Sequence, residues 1–349
     1  MALDKRPPRV TGAQVAREAG VDPAVVSKLL KGDSGMRVSA ATRKRVEETI
    51  QRLNYRPSFS AQRLRSQRVG AVGLVIPDFR NPAYGEIIHG AEQASLDQDV
   101  ALFVTSMIEH QSPMDVVVDL VASQRIDALL VAAGTLEETS EVNDYLAERK
   151  IPFLFLNRQT TGLQRSLFLD DENAMQVAVD HLVDLGHTEI RNIAGLKSME
   201  TGHRRQRGFE EAMRKANLGF KRSLMAECEY SIHGGEKGFA RLMTRTPRPT
   251  AIVVSEFVMG VGALSAARKA KLDVPGDVSI VVFNDLEIAS YLNPTLTTVS
   301  LPLAALGAEG LTLLVNRPAN EPIHQKVEVQ PHLIPRESTQ QFDIENRRK

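Results

Sequence analysis

The chain has 349 residues, 42% hydrophobic and 25% charged, with 43 basic and 43 acidic side chains. That length exceeds what one hydrophobic core supports and predicts two or three domains, and the composition excludes a disordered chain. A single cysteine, Cys228, excludes an internal disulfide and fits a reducing cytoplasm, where it reads as a small buried hydrophobe. The opening MALDKRPPRV has no apolar run and predicts no signal peptide, and no apolar stretch approaches the length of a membrane span.

The zero net charge hides an asymmetry. Residues 1–68 carry 15 Lys and Arg against 6 Asp and Glu, a net of +9, so the rest of the chain carries −9. The basic residues are interleaved with apolar helical periodicity, which points to a folded polyanion-binding module on an acidic body.

In chain order, Val10–Lys31 reads as two short helices joined by a tight turn. Thr11 and Gln14 have the spacing of a capping box, Gly20 supplies a left-handed stop, Asp22 caps the second helix and Pro23 occupies its first position. Val15, Ala16 and Ala19 form one apolar face, and Val26, Leu29 and Leu30 another. The opposite side of the second helix shows Ala24, Ser27, Lys28 and Lys31, a basic, small-residue face suited to a DNA major groove. The bland alternative is an ordinary helical hairpin.

Ser39 caps a third helix whose apolar face is Thr42, Val46, Ile50 and Leu53, and Asn54 reads as its stop. After Tyr55-Arg56-Pro57, Ser58 can cap a further short helix, Phe59 to Arg65, too short to stand alone in water. Its Arg63, Arg65 and Arg68 with Phe59 and Leu64 suit a minor-groove wedge, against the plain alternative of a linker.

From Val69 the pattern becomes apolar strands alternating with amphipathic helices: VGAVGLVIP, VALFVT, ALLVA and FLFL, then a second series through VSIVVF, then a closing segment from Leu296 with a helix at Leu303–Val315. Such alternation predicts two doubly wound parallel-sheet halves. Ligands of such sheets bind at strand carboxyl ends. Those positions are held by Asp78, Phe79, Asn81 and Pro82, by Asn157 and Arg158, by Ser255 and Glu256, and by Asn284 and Asp285, with Arg205 opening a helix beside another strand end. This set is rich in amides and hydrogen-bonding groups and fits a hydroxylated small molecule. Asp78 and Asp285 read equally well as cap or turn formers. No catalytic constellation or cofactor motif appears: His181 and His187 are six apart, and there is no H-E-x-x-H, G-x-S-x-G or G-x-G-x-x-G.

Residues 10–68 resemble the DNA-binding head of the LacI/GalR family of bacterial transcription regulators: V-T at Val10–Thr11, V-A-x-x-A-G-V at Val15–Val21, V-S-K-L-L at Val26–Leu30, S-x-x-T-R at Ser39–Arg43 and Y-R-P at Tyr55–Pro57. The likeness continues through I-P-D-x-x-N-P at Ile76–Pro82, H-L-x-x-L-G-H at His181–His187, P-T-A-I at Pro249–Ile252, N-P-T-L-T-T-V at Asn293–Val299 and R-E-S-T at Arg336–Thr339. It implies an all-α helix-turn-helix head (residues 1–57), a hinge helix (58–68) and an α/β body (69–349) like the periplasmic sugar-binding proteins. The chain would cross between the body's halves near 158–170, 286–300 and 325–330. It implies a cytoplasmic homodimeric repressor, without a cofactor, on a pseudo-palindromic operator. DNA contacts would come from Thr11, Pro23, Ala24, Ser27, Lys28, Lys31, Tyr55, Ser58, Arg63 and Leu64, with Leu64 as the hinge leucine.

The implied effector contacts are Phe79, Pro82, Tyr84, Asn157, Arg205, His233, Glu256 and Asn284. Arg205 matches the family's effector-clamping arginine and His233 a stacking aromatic. Glu256 stands where most members have asparagine. Asn157, Phe257 and Asn284 stand where aspartates occur. The ligand class is a sugar or a nucleoside, the latter acting as co-repressor. A free solute-binding protein is the rival from another class, and it leaves the basic head unexplained.

Overall fold

The computed structural model describes residues 10–30, 38–55, 70–107, 112–159, 162 and 165–342. The chain divides into two compact units, Met1–Arg68 and Val69–Lys349.

The first unit contains α1 (Gly12–Ala19), α2 (Pro23–Leu30) and α3 (Ala40–Arg52). Their ends follow from local chemistry. Thr11 Oγ1 accepts from Gln14 N at 3.2 Å, and Gly20, at φ +62°, closes α1 by donating to the carbonyls of Ala16 and Arg17. Asp22 Oδ1 accepts from Ala24 N at 2.7 Å, and Ser39 Oγ from Thr42 N at 3.2 Å. Val15, Ala16, Ala19, Val26 and Val46 are buried in a small core rimmed by half-buried Leu29, Ile50, Leu53 and Tyr55.

Two details depart from the expected apolar faces. Leu30 is exposed, because contact is confined to the middle of α2, where Val26 is the helix's buried residue. Thr49 is buried in α3 and satisfies its hydroxyl by donating to Arg45 O at 2.8 Å. Arg45 Nε donates to Ala19 O at 2.8 Å and Arg52 pairs with Glu18 at 2.8 Å, so two basic residues of α3 hold it to the carboxyl end of α1.

The second unit contains two six-stranded sheets. The first has the order β11-β5-β4-β3-β1-β2, from β1 (Ala71–Ile76), β2 (Ala101–Ser106), β3 (Ala128–Val131), β4 (Phe153–Leu156), β5 (Arg165–Phe168) and β11 (Ile323–Lys326). The second has the order β12-β10-β9-β8-β6-β7, from β6 (Ile190–Gly195), β7 (Met225–Cys228), β8 (Ala251–Val254), β9 (Ser279–Phe283), β10 (Thr297–Ser300) and β12 (His332–Ile334). The two orders are the same, and only the β10–β12 pair is antiparallel. The central strands β1, β3, β4, β8 and β9 read as near-continuous apolar runs because both faces are covered. Val253, Val281 and Phe283 join one core, while Ile252, Val254, Ile280 and Val282 join the other, as a two-residue period requires.

Seven of the remaining helices surround these sheets: α4 (Ala83–Asp97), α5 (Pro113–Ala122), α6 (Leu136–Glu148), α7 (Asp171–Asp184), α8 (Glu200–Lys215), α9 (Ile232–Met243) and α10 (Phe257–Lys269). The last, α11 (Leu303–Asn316), returns to the first sheet and packs on α4. That contact is backbone-close: a Cβ on Gly90 would stand 1.8 Å from Ala304 O, and one on Gly307 2.0 Å from Ile87 O. β5 is a strand absent from the sequence reading, so the chain leaves the first sheet only after Phe168. It crosses at Leu169–Asp171, again after Ser300 just past the 286–300 window, and last between Lys326 and His332.

His187 is buried, with its ring nitrogens 3.0 Å from Thr250 Oγ1, 3.1 Å from Ser279 Oγ and 3.2 Å from Gln340 O. Burial foremost holds its pKa below the usual histidine value.

Two outcomes follow from this packing. Gly307→Ala should cost about 1–3 kcal/mol, because a methyl group must separate two helices in backbone contact; urea denaturation should show a lower midpoint with an unchanged slope. For His187, the unfolded chain binds the proton more readily than the folded one, so its contribution is present above the unfolded pKa and lost as pH falls through the folded one. Stability should therefore decline from pH 7 to pH 5, and less steeply in His187→Gln.

Candidate functional site

A cavity of about 560 Å³ lies where the strand ends of both sheets meet, and its walls follow directly from the topology. Pro77, Asp78, Arg80 and Asn81 follow β1 and Asn157 follows β4 in the first sheet. Leu196 follows β6, Glu229–His233 follow β7, Glu256 follows β8 and Asn284 follows β9 in the second. Tyr84 and Ile87 from α4, Thr201 and Arg205 from α8, and Leu303 of α11 also line it. The volume falls in the roughly 300–1,000 Å³ range of small-molecule sites.

Of the sequence-expected effector residues, Tyr84, Asn157, Arg205, His233, Glu256 and Asn284 line this one cavity. Phe79 and Pro82 do not: Phe79 is 56% exposed, and Pro82 sits at the amino end of α4. Of the other strand-end candidates, Asp78 and Asn81 line the wall. Arg158 is buried and donates to Ala132 O at 2.7 Å. Ser255 accepts from Asn192 at 3.1 Å, and Asp285 pairs with Arg336 at 2.7 Å, so these three serve the scaffold. The segment Glu229–Ile232 was not singled out from sequence, although it also follows a strand.

Beside the cavity runs a buried charge network at the first crossing segment. Asp171 opens α7 with its side chain fully buried. Its Oδ1 accepts from Arg205 Nε at 2.6 Å, and its Oδ2 lies 2.6 Å from Arg204 Nη2. Arg204 also donates to Asn157 Oδ1 at 2.7 Å and to Leu169 O at 3.0 Å, and faces Glu200 at 3.0 Å. Arg205 donates to Ser255 O at 2.5 Å, lies 3.5 Å from Glu256 Oε2, and stacks 5.1 Å from the Phe283 ring centroid. Thus α8, in the half built on the second sheet, reaches Asn157 of the first half through one guanidinium and places the other in the cavity wall.

The electrostatics follow from this pairing. Burial opposes the charge on Arg205, but Asp171, then Tyr230 and Glu256, raise its pKa and keep it protonated. Burial is the foremost cause raising the pKa of Glu256, opposed by Arg205 and by hydrogen bonds from Asn284 and the Phe257 amide. Burial also raises Tyr84 and Tyr230, which therefore present neutral phenols. No group of three or more His, Cys, Asp or Glu among the described residues could hold a metal ion, and no helix among them is long and apolar enough to cross a membrane.

In the first unit, Thr11, Pro23, Ala24 and Lys28 are exposed, and Ser27 is half-buried. Tyr55 is half-buried against the core, and its hydroxyl lies 3.0 Å from where a Cβ on Gly12 would stand. Lys31, Ser58, Arg63 and Leu64, with the expected hinge helix, lie outside the described residues.

Residues 13–58 match bacterial regulatory proteins, lacI family, and residues 179–339 match the periplasmic binding protein-like domain. Catabolite control protein A of Priestia megaterium is 29% identical over 327 residues, spanning 93% of this chain and 97% of that protein. A transcriptional regulator CelR–cellobiose complex superposes with a TM-score of 0.70 at 26% identity, covering 95% of this chain and all of that one. The Lac repressor dimer bound to operator and an anti-inducer has the same fold, with a TM-score of 0.81 at 24% identity over 95% of this chain and all of that one.

Removing the shared carboxylate should be severe. Asp171→Ala leaves two buried guanidinium groups short of their partner and should cost about 3–5 kcal/mol; urea denaturation followed by circular dichroism measures it, and a loss below 1 kcal/mol would show that the network tolerates an unpaired charge.

Proposed function

The chain belongs to the LacI family of bacterial transcription regulators, a DNA-binding regulator and not an enzyme, and from that premise we propose how it works. It acts in the cytoplasm as a homodimeric repressor, on a pseudo-palindromic operator read by two helix-turn-helix heads. A small hydroxylated molecule of the sugar or nucleoside type binds in the cavity between the two sheets and changes how far the halves close. That closure sets the affinity for the operator. The dimer on operator and the bound cellobiose belong to the relatives described above, and they support the same reading here.

The observation that carries the effector role is the sharing of residues between cavity and crossing segment. Asn157 and Arg205 line the cavity, and both are held through Arg204 and Asp171 to the segment that joins the halves. A ligand that touches either residue acts on the joint itself. A ligand shifts a two-state equilibrium only by its difference in affinity for the two states. A closed cleft that surrounds the ligand provides such a difference, and an open one does not. The test is operator binding by the full chain, with DNA from upstream of its own gene, titrated with and without ligand. The affinity should change with a ligand that also raises the thermal midpoint. A ligand that stabilises the protein yet leaves operator affinity unchanged would overturn the gating.

Sequence readout rests on an unusual face. Pro23 and Ala24 at the start of α2 carry no side-chain hydrogen-bonding group, so direct base readout there falls to Lys28, which can donate to guanine. Lys28→Ala should weaken operator binding by about 1–3 kcal/mol while affecting unrelated DNA less; fluorescence anisotropy on both duplexes decides it, and equal losses would make Lys28 a phosphate contact.

A further inference from the structure

The polar groups of the cavity are unequally matched. Arg205 faces Asp171, and Arg80 faces Asp78 at 2.7 Å, so each guanidinium in the wall already meets a carboxylate. His233, the remaining basic side chain of the wall, lies 3.9 Å from Glu236. The carboxylates about the wall outnumber its guanidinium groups. Glu256, 5% exposed, lies 3.5 Å from an Arg205 that Asp171 already holds at 2.6 Å, and Glu229 is exposed with no side-chain hydrogen bond or ion pair to a described residue.

Glu256 also orients its neighbour. Its carboxylate accepts from Asn284 Nδ2 at 3.1 and 3.0 Å and from Phe257 N at 3.0 Å. A carboxylate can only accept, so the Asn284 amide must turn its NH₂ toward it. Asn284 Oδ1 is then an acceptor without a partner, in a residue 2% exposed that lines the cavity. A buried acceptor left unmatched is costly, and in a ligand cavity the missing partner is a donor on the ligand. Tyr84 and Tyr230 line the same space, and aromatic faces attract cations.

We propose that the ligand of this cleft is a small polyhydroxylated amine of the amino-sugar class, its ammonium group drawn to Glu256 and Glu229 and an N–H or O–H donor meeting Asn284 Oδ1. The inference rests on the reading of this cleft as the effector site. It goes further by specifying charge. A sugar phosphate would bring an anion against two carboxylates, with every wall guanidinium already paired. A neutral sugar satisfies Asn284 and leaves the excess charge unanswered.

The test uses the full chain and isothermal titration calorimetry with three matched series. The amines are D-glucosamine, D-galactosamine and D-mannosamine. Each is compared with its parent hexose, with its N-acetyl derivative, which keeps the skeleton and removes the charge, and with the hexose 6-phosphate. At least one amine should bind tenfold or more tightly than its parent and its N-acetyl form, with no heat from the phosphate. In Glu256→Gln that ratio should fall toward unity. Equal or tighter binding of the parent, the N-acetyl form or the phosphate overturns the proposal in the unmodified protein, whatever the variant does. So does the absence of binding by all three amines.

Operator titration with the same probes separates this inference from the gating. A neutral or phosphorylated sugar that alters operator affinity keeps the gating and overturns the amine. An amine that binds and leaves operator affinity unchanged does the reverse.

Discussion

The contact on which the body depends is the one Asp171 makes with two consecutive arginines. Consecutive residues on a helix point about 100° apart, so Arg204 and Arg205 diverge from α8 into different surroundings. Asp171 holds both at 2.6 Å because it opens α7, which lies alongside α8. Each partner then continues outward. Arg204 reaches Asn157 and the Leu169 carbonyl, and Arg205 reaches Ser255 and Glu256. A buried ion pair gives little net stability over a hydrophobic one, because desolvation offsets the attraction. What it adds here is direction: two charges that must be paired fix where the crossing segment, the end of β4 and the end of β8 lie relative to each other. Packing among leucines would not specify that geometry as tightly.

The two halves show how a common plan was put to different uses. Asn157 and Asn284 stand at matching places, just after β4 and just after β9, in sheets of the same strand order. Both have positive φ, +54° and +70°, and both donate their backbone N–H to the neighbouring strand, at Leu167 O and Val299 O. Asparagine tolerates that backbone region better than most residues. Their side chains then part company. Asn157 Oδ1 is taken by Arg204 inside the protein, whereas Asn284 donates to Glu256 and leaves its Oδ1 unmatched. One half contributes an anchor for the joint. The other contributes a polar group whose partner must come from elsewhere.

Much of this was legible in the chain because strands buried on both faces announce themselves. AVGLVI and FLFL carry no polar side chain and SIVVF only its first, and their carboxyl ends mark Asp78, Asn157 and Asn284 without further information. β5 and β7 were harder for a physical reason. The RSLF segment of β5 begins with an arginine and a serine, yet both are buried, because Arg165 donates to the carbonyls of Pro318 and Glu321 and Ser166 to that of Arg158. No periodicity reveals the partners of Arg165, over 150 positions away. The edge strand β7, MAEC, is only partly buried and lacks an apolar run. Glu229–Ile232 beyond it carry no pattern, so of this side of the cavity only His233 is marked in the sequence. Phe79 also sits just past a strand, but its side chain faces solvent and does not line the cavity.

The first unit shows why charge count alone overstates a nucleic-acid surface. Arg45 and Arg52 belong to the basic excess, yet one caps the carboxyl end of α1 and the other pairs with Glu18. Lys44 faces Glu48 at 3.9 Å, an exposed pair of little energy. Among the described residues of this unit, Lys44, Arg45 and Arg52 are engaged within it, and Arg17, Lys28 and Arg43 make no ion pair. On the reading proposed above, two such heads on one duplex multiply their selectivity only when their spacing matches the half-sites. In such a design the spacing becomes the controlled quantity. A body whose joint is set by Asp171 and whose cavity touches that joint is then suited to act on DNA without approaching a base.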